Sequence, residues 1–239
     1  MIDVVFISDL HLCPEEQEIQ KRFNQFIQWA QTSVKQVYIL GDFFNAWVGD
    51  DAIDDWSTEI ARQLYSLKAR GIPVYYMHGN RDFLLGARYA KLAGWQVLTE
   101  PTFIELGEEK IMLAHGDSYC TDDLSHQRFR RLTRNSLFAA VFLRLNLNYR
   151  KQLVNKIRER SLMNTSKSMA QMDVVAATVI SHMLKNKCPV LIHGHTHKPG
   201  LTTYEHEAHS LKRYVLSDWD DNPQLLCYDI SKGLYFTHI

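Results

Sequence analysis

The sequence predicts an α/β protein, and two observations carry that prediction. Short apolar runs of strand length, at 4–7, 37–40, 74–77 and 190–192, alternate with longer stretches whose apolar residues recur at helical spacing. The runs also lead into Asp, Asn, His and Gly, and open α/β sheets place their sites just beyond the carboxyl ends of their strands.

The first strand, expected at 3–8, is built on Val4, Val5, Phe6 and Ile7 and runs into Asp9-Leu10-His11. Residues two apart on an extended backbone share a face, so Asp9 and His11 can aim at one point. Ile19, Phe23, Phe26, Ile27 and Ala30 then make a helical stripe that reads as core packing. A second strand at 37–40 ends in Gly41-Asp42, where a carboxylate with two oxygens can serve two cations. The loop at 43–55 carries Trp47, Asp50, Asp51, Asp54 and Asp55, and its acids read as a solvated loop and helix N-terminus. A helix over 57–70 is closed by Gly71 and Pro73. The third strand, 74–78, ends in Gly79-Asn80-Arg81-Asp82. Asn80 offers a carbonyl oxygen there, and Arg81 a planar fork suited to phosphate. His78 is read as structural. A helix over 83–93 stops at Gly94, and a hairpin at 102–106 and 110–114 leads to His115-Gly116-Asp117.

Residues 122–187 break this rhythm and read as a helical insertion. Between His126 and Arg160 it holds ten Lys and Arg against one acid, Glu159, together with an apolar patch of Leu137, Phe138, Val141, Phe142, Leu143, Leu145 and Leu147. Two readings stand side by side: an interfacial segment meeting a membrane surface, or helices whose apolar face packs on the core. A polar stretch at 161–168 follows, with hydroxyls, an amide and an amine that can hold a sugar or phosphate or cap a helix. The apolar run 190–192 then leads into His193-Gly194-His195-Thr196-His197, which offers His195 and His197 on one side of the chain. A turn is expected at 204–210 and strands at 212–217, 224–228 and 233–237, a tail supporting a second sheet. His206, His209 and His238 read as surface histidines.

Composition narrows the classes. The 239 residues are 46% apolar and 23% charged with zero formal net charge, which argues against a nucleic-acid binder relying on a global basic field. Met1-Ile2-Asp3 lacks the basic and apolar regions of a secretory signal, and no window is apolar enough to span a bilayer. Cys13, Cys120, Cys188 and Cys227 are scattered without a CxxC, as expected of reduced thiols in a cytosolic protein. Five strand ends carrying ligand-type residues point instead to a metal site.

Asp9-x-His11, Gly41-Asp42, Gly79-Asn80, His115 and Gly194-His195-x-His197, in that order, resemble the signature of the calcineurin-like metallophosphoesterase superfamily. The resemblance implies a four-layer α/β/β/α sandwich, a single domain over 1–239 with the insertion at about 122–187 forming a lid. It implies that Asp9, His11, Asp42 and His197 hold one metal, and that Asp42, Asn80, His115 and His195 hold the other. Oxygen and imidazole donors without thiolate suit two Mn²⁺ ions, with Fe or Zn as alternatives. Such a pair clamps a phosphoryl group and activates water. One departure is informative: the superfamily usually has a histidine after the Gly-Asn pair, and this chain has Arg81. A phosphate leaving group, with a second pKa of about 6, does not need the proton a histidine would lend. Arg81 therefore suits pyrophosphate cleavage, stabilising phosphoryl charge.

SDLHLC at 8–13, GDFFNAWVGDD at 41–51, GNRDFLLG at 79–86, CTDD at 120–123 and SKSMA at 166–170 further resemble the UDP-2,3-diacylglucosamine diphosphatases of Gram-negative lipid A biosynthesis. That resemblance implies manganese-dependent hydrolysis of the UDP-linked diacylglucosamine lipid to lipid X and UMP. It also implies peripheral attachment to the cytoplasmic face of the inner membrane; a monomer without a nucleic-acid partner is expected. Asn80, Arg81, Asp123, Ser161, Asn164, Lys167 and His195 would contact substrate, with Asn80, Arg81 and His195 serving catalysis. Competing readings are another dinuclear member of the superfamily, acting on cyclic nucleotides or phosphoproteins, and a catalytically inactive scaffold.

Overall fold

The computed structural model describes residues 1–163, 173–207 and 209–238. Its first half alternates strand and helix: β1 (Val4–Ile7), α1 (Gln17–Ser33), β2 (Val37–Ile39), α2 (Asp55–Ala69), β3 (Val74–Met77), α3 (Ala87–Ala93) and β4 (Gln96–Leu98). A hairpin of β5 (Thr102–Leu106) and β6 (Glu109–Ala114) leads to α4 (Leu124–Thr133), α5 (Ser136–Phe142), α6 (Leu147–Met163) and α7 (Ala176–Lys185). The chain closes with β7 (Val190–His193), β8 (Gly200–His206), β9 (His209–Val215), β10 (Leu225–Asp229) and β11 (Gly233–Thr237).

Two sheets result, ordered β11-β10-β1-β2-β3-β4 and β5-β6-β7-β9-β8. Strand alternation decides the layering. Val5, Ile7, Val37, Ile39, Val74 and Tyr76 of the first sheet pack with Phe23, Phe26, Ile60 and Leu64 from the helices outside it. Val4, Phe6, Tyr38, Leu40 and Met77 turn the other way and meet Ile111, Leu113, Val190, Ile192 and Tyr214 of the second sheet. Met112, Ala114 and Leu191 face outward again, onto Val179 and Met183 of α7. Helices, sheet, sheet and helix thus form four layers around two buried interfaces and an apolar seam between the sheets.

Local chemistry explains the element ends. Asp54 caps α2: its Oδ1 accepts from Ser57 N at 2.8 Å while Ser57 Oγ accepts from Asp54 N at 3.0 Å. Asp50 is spent on structure as well, accepting from Trp47 Nε1, Gly86 N and Tyr89 N. The helix expected over 83–93 begins only at Ala87, because Leu85 N turns back to Asp82 O and Asp50 ties down the following Gly86. His78 is structural, with Nε2 at 2.8 Å from Leu85 O.

Two expectations about the tail are corrected. Residues 204–206 and 209–210 lie in the long β8/β9 hairpin, where Tyr204 pairs with Leu211 and His206 with His209, so the turn is shorter than 204–210. Only β8 and β9 support the second sheet. β10 leaves it and pairs antiparallel with β1 in the first sheet, Val5 opposite Cys227, carrying β11 with it. Leu225, Leu226 and Cys227 are buried on both faces, which that internal position requires. The four cysteines are unpaired, and no described helix is long and apolar enough to cross a membrane.

Candidate metal centre

β1, β2 and β3 are parallel neighbours, and so are β6, β7 and β9 in the other sheet. The segments leaving their carboxyl ends bring their polar residues together in two groups. Asp9, His11 and His197 present ligand atoms within 4.8 Å of one another, and so do Asp42, His115 and His195. Asn80 joins the second group, with Oδ1 at 3.0 Å from His115 Nε2. The backbones interlock: Asp9 N donates to Gly41 O and His11 N to Asp42 O.

Five of these residues sit at positive φ: Asp9 at 54°, His11 at 54°, Asp42 at 51°, His195 at 71° and His197 at 54°. Non-glycine residues adopt that region at a cost of about 1–3 kcal/mol each, and such strain concentrates at functional sites. Two glycines make the close approach possible. A Cβ on Gly79 would collide with the Asp42 carboxylate, and one on Gly194 with Ser8 Oγ and Asp9 Oδ2. Asp82, fully buried, then locks the loops after β2 and β3 together, accepting from Gly79 N at 2.8 Å and Phe43 N at 2.7 Å.

The donor atoms fit a cation. Asp9 Oδ2 is occupied by Ser8 Oγ at 2.5 Å and His195 N at 2.8 Å, leaving Oδ1 buried without a hydrogen-bond partner. His11 Nε2 and His197 Nε2 face each other at 3.3 Å, an arrangement that a shared positive ion satisfies for both lone pairs. His115 Nδ1 is taken by Leu40 O at 2.9 Å, which turns Nε2 toward Asp42 and Asn80.

Residues 2–199 match the family model of the calcineurin-like phosphoesterases. The chain belongs to the calcineurin-like phosphoesterase family. The UDP-2,3-diacylglucosamine hydrolase of Stutzerimonas stutzeri is 40% identical over 218 residues, 91% of each chain. That of Aeromonas hydrophila is 38% identical over 226 residues, 94% of each. A Thermotoga maritima protein solved by NMR shares the fold, with a TM-score of 0.50 at 14% identity over the whole of both chains.

In this phosphoesterase the electrostatics of the two groups are those of a site built for positive charge. Burial pushes the Asp42 carboxyl up to about 7 against the pull of His115. Burial would push His115 down, yet the Asp42 and Asp117 carboxylates carry it up to about 9, so the pair retains a proton where a cation can bind instead. Burial, reinforced by the charge on His115, drives His195 down to about 3, and burial likewise takes His11 well below its usual range. Both imidazoles therefore offer neutral lone pairs.

Arg81 lies at the rim of the second group. Its backbone N donates to Asp42 Oδ1, its Nε is 3.5 Å from Asp42 Oδ2, and its Nη1 donates to Asn45 Oδ1 at 2.8 Å. Asp123 is the N-cap of α4, accepting from His126 N at 2.9 Å, and the His126 ring lies 5.2 Å from that of His195. α4 thus begins directly beside the candidate metal ligands. Ser161 falls in the last turn of α6 with its side chain outside the described residues, and Asn164 and Lys167 lie outside them altogether.

Sequence reasoning did not single out Asn45, Glu100, Arg130, Arg134 or Asp218. Glu100 Oε1 accepts from His115 N at 2.8 Å, and Arg130 bridges Glu100 and the buried Asp117, both at 3.0 Å. Asp218 Oδ2 lies 3.2 Å from His197 Nδ1. Asp218 carried the same signal as the ligands, an acid just past a strand end. Glu100 and Arg130 carried none, because they act on His115 through its backbone and through a third residue.

Proposed function

We propose that the protein hydrolyses the pyrophosphate bond of UDP-2,3-diacylglucosamine, giving 2,3-diacylglucosamine 1-phosphate and UMP, with two manganese ions as cofactor. The curated relatives, about 40% identical over nine-tenths of both chains, support the substrate. The structural observation that carries the reading is the guanidinium of Arg81, part-exposed and fixed beside Asp42 by Asn45.

Water adds to the α-phosphorus, the bond from that phosphorus to the bridging oxygen breaks, and the sugar 1-phosphate leaves with the electron pair. Ions held by Asp9, His11, Asp42, Asn80, His115, His195 and His197 would polarise the phosphoryl group and make water nucleophilic near neutral pH. The chain's own residues supply the rest. Arg81 faces the charge that builds on the phosphoryl oxygens, already oriented by Asn45 so that little side-chain freedom is lost. The leaving phosphate departs without a protonated side chain.

The insertion serves as a lid and as the contact with the cytoplasmic face of the inner membrane. Leu137, Val141, Leu143, Leu145 and Tyr149 are exposed on it, among the exposed cations Arg131, Arg144 and Lys151. Such a surface meets acyl chains with its apolar part and anionic headgroups with its cations. The test is turnover by purified protein with Mn²⁺ on UDP-2,3-diacylglucosamine, cyclic AMP and a phosphopeptide, before and after chelation and metal add-back. Turnover of the first, lost and restored with metal, is expected. Turnover of the others alone would reject the substrate, and no activity to restore would reject the enzyme.

A further inference from the structure

We propose that Asp218 is the positioning residue that makes His197 a metal ligand, so that the Asp9/His11/His197 group depends on this one carboxylate for its hold on a cation. The proposal rests on the reading of that group as a metal site.

Topology brings the two residues together. β7 and β9 are parallel neighbours with His193 opposite Val215, and Leu216 N continues the pairing by donating to His193 O at 2.8 Å. The segments leaving the two strands therefore run side by side, His197 on one and Asp218 on the other. Asp218 Oδ2 stands 3.2 Å from His197 Nδ1. With its proton held on Nδ1 by that contact, the ring turns Nε2 toward Asp9 Oδ1 at 3.5 Å and His11 Nε2 at 3.3 Å. A carboxylate behind an imidazole fixes its tautomer and strengthens its donor nitrogen.

The segment carrying Asp218 is itself held firmly. Trp219 is 1% exposed and packs edge-on against Phe26 of α1, with ring centroids 5.7 Å apart. Arg22, also on α1, donates Nη1 to Trp219 O at 2.8 Å and to Asp220 O. A surface carboxylate free to swing would be worth little to a neighbouring imidazole. One whose backbone is pinned on its C-terminal side can hold the ring in place.

The two groups differ in this respect. His115 is fully buried and oriented by a backbone carbonyl, Leu40 O, which no side-chain substitution removes. His197 is 31% exposed, sits at a φ of 54°, and has a replaceable side chain behind it. The consequence is selective: loss of Asp218 weakens one ion and spares the other.

The experiment titrates Mn²⁺ into metal-free full-length protein, reading free Mn²⁺ by electron paramagnetic resonance and binding heat by calorimetry. His197→Ala identifies the step that belongs to this group. Asp218→Ala is expected to weaken that step by about 10–100-fold and leave the other unchanged. Asp218→Asn, isosteric and still able to accept a hydrogen bond, falls between. Turnover of the two Asp218 variants, unlike that of His197→Ala, recovers at saturating Mn²⁺ with the substrate KM unchanged, and their metal-free thermal unfolding matches wild type. Wild-type affinity at both steps in Asp218→Ala, or an equal loss at both, overturns the proposal while leaving the two-ion reading intact. A wild-type chain that binds no ion at the His197 step overturns both.

Discussion

The backbone N–H of Arg81 donates to Asp42 Oδ1 at 2.8 Å, so the chain leaving β3 closes over the carboxylate delivered by β2. Because this clasp belongs to the peptide, it survives replacement of the arginine side chain. Arg81→Ala is therefore expected to keep both metals and lose about 2–4 kcal/mol of transition-state stabilisation, read as kcat/KM. Asp42→Ala removes the acceptor itself and should abolish both turnover and full metal loading. Metal analysis beside kinetics separates the two variants, and wild-type rates in Arg81→Ala would remove its assigned role.

Asp82 is the hidden partner of that arrangement. Its carboxylate takes the N–H groups of Gly79, Phe43 and, at 3.4 Å, Phe44, all inside the core. Asp82→Ala leaves those donors buried and unpaired, each costing about 1–3 kcal/mol. A loss of about 3–5 kcal/mol in denaturant unfolding is expected, with metal binding impaired because Asp42 and Asn80 lose their shared anchor. Unchanged stability would mean the loops are held by other contacts.

How much of this was legible in the sequence depended on whether a residue acts directly. Asp9, His11, Asp42, Asn80, His115, His195 and His197 each follow an apolar run, which marked the strand ends, while the resemblance to the superfamily signature chose them from neighbours such as Asp82 and Asp117; the structure brings them together at one rim. The layer holding β10 was not legible. A short alternating strand can join either sheet, and only the plug of Trp219 and the burial of Leu225 to Cys227 decide for the first. The charge run between His126 and Arg160 concealed Arg130 and Arg134, which look solvated in sequence yet close on the buried Asp117.

Arg130 therefore gives a third prediction. Its guanidinium spans Asp117 Oδ1 and Glu100 Oε2, and Glu100 in turn holds the backbone of His115. Breaking a fully buried ion pair costs about 3–5 kcal/mol; Arg130 is part-buried and Arg134 stays 3.7 Å from Asp117, so Arg130→Met should destabilise the fold by less than that. Arg130→Lys should fail to rescue it, since a point charge cannot bridge both carboxylates as a planar fork does. Full rescue by lysine in thermal unfolding would reduce the network to simple charge balance.

The apolar residues of α5 are partly packed on the core and partly exposed. Phe142 is 7% exposed and stacks on Phe138, which with Phe83 packs against the first sheet's helical core. Leu137 and Val141, on the same helix, are 74% and 61% exposed. Serine at Leu137 and Val141 is expected to weaken binding to anionic liposomes and leave the unfolding temperature unchanged. Serine at Phe142 should lower stability by about 3–5 kcal/mol, as truncating a buried aromatic does. Liposome binding indifferent to the exposed pair would leave the helix without a membrane role.

Arg150 ties α6 to the loop after β2 and supplies a pH dependence. It is buried in α6, donates Nε to Leu145 O at 3.0 Å, and reaches across to Val48 O and the Asp51 carboxylate in the loop after β2. The bond from Arg150 holds the Asp51 carboxyl below its ordinary range. A carboxyl whose folded pKa is depressed stabilises the folded state above its unfolded value, about 4, and loses that contribution as pH falls through the folded one. Protection of α6 against limited proteolysis or hydrogen exchange should therefore weaken below about pH 4 in the wild type. Asp51→Asn should lose that acid-side component and show at neutral pH the protection the wild type has only in acid. Arg150→Met should be worse at every pH, because the carbonyls of Val48 and Leu145 lose their donor as well. Identical pH profiles for wild type and Asp51→Asn would remove Asp51 from the latch and leave the two carbonyls as its whole basis.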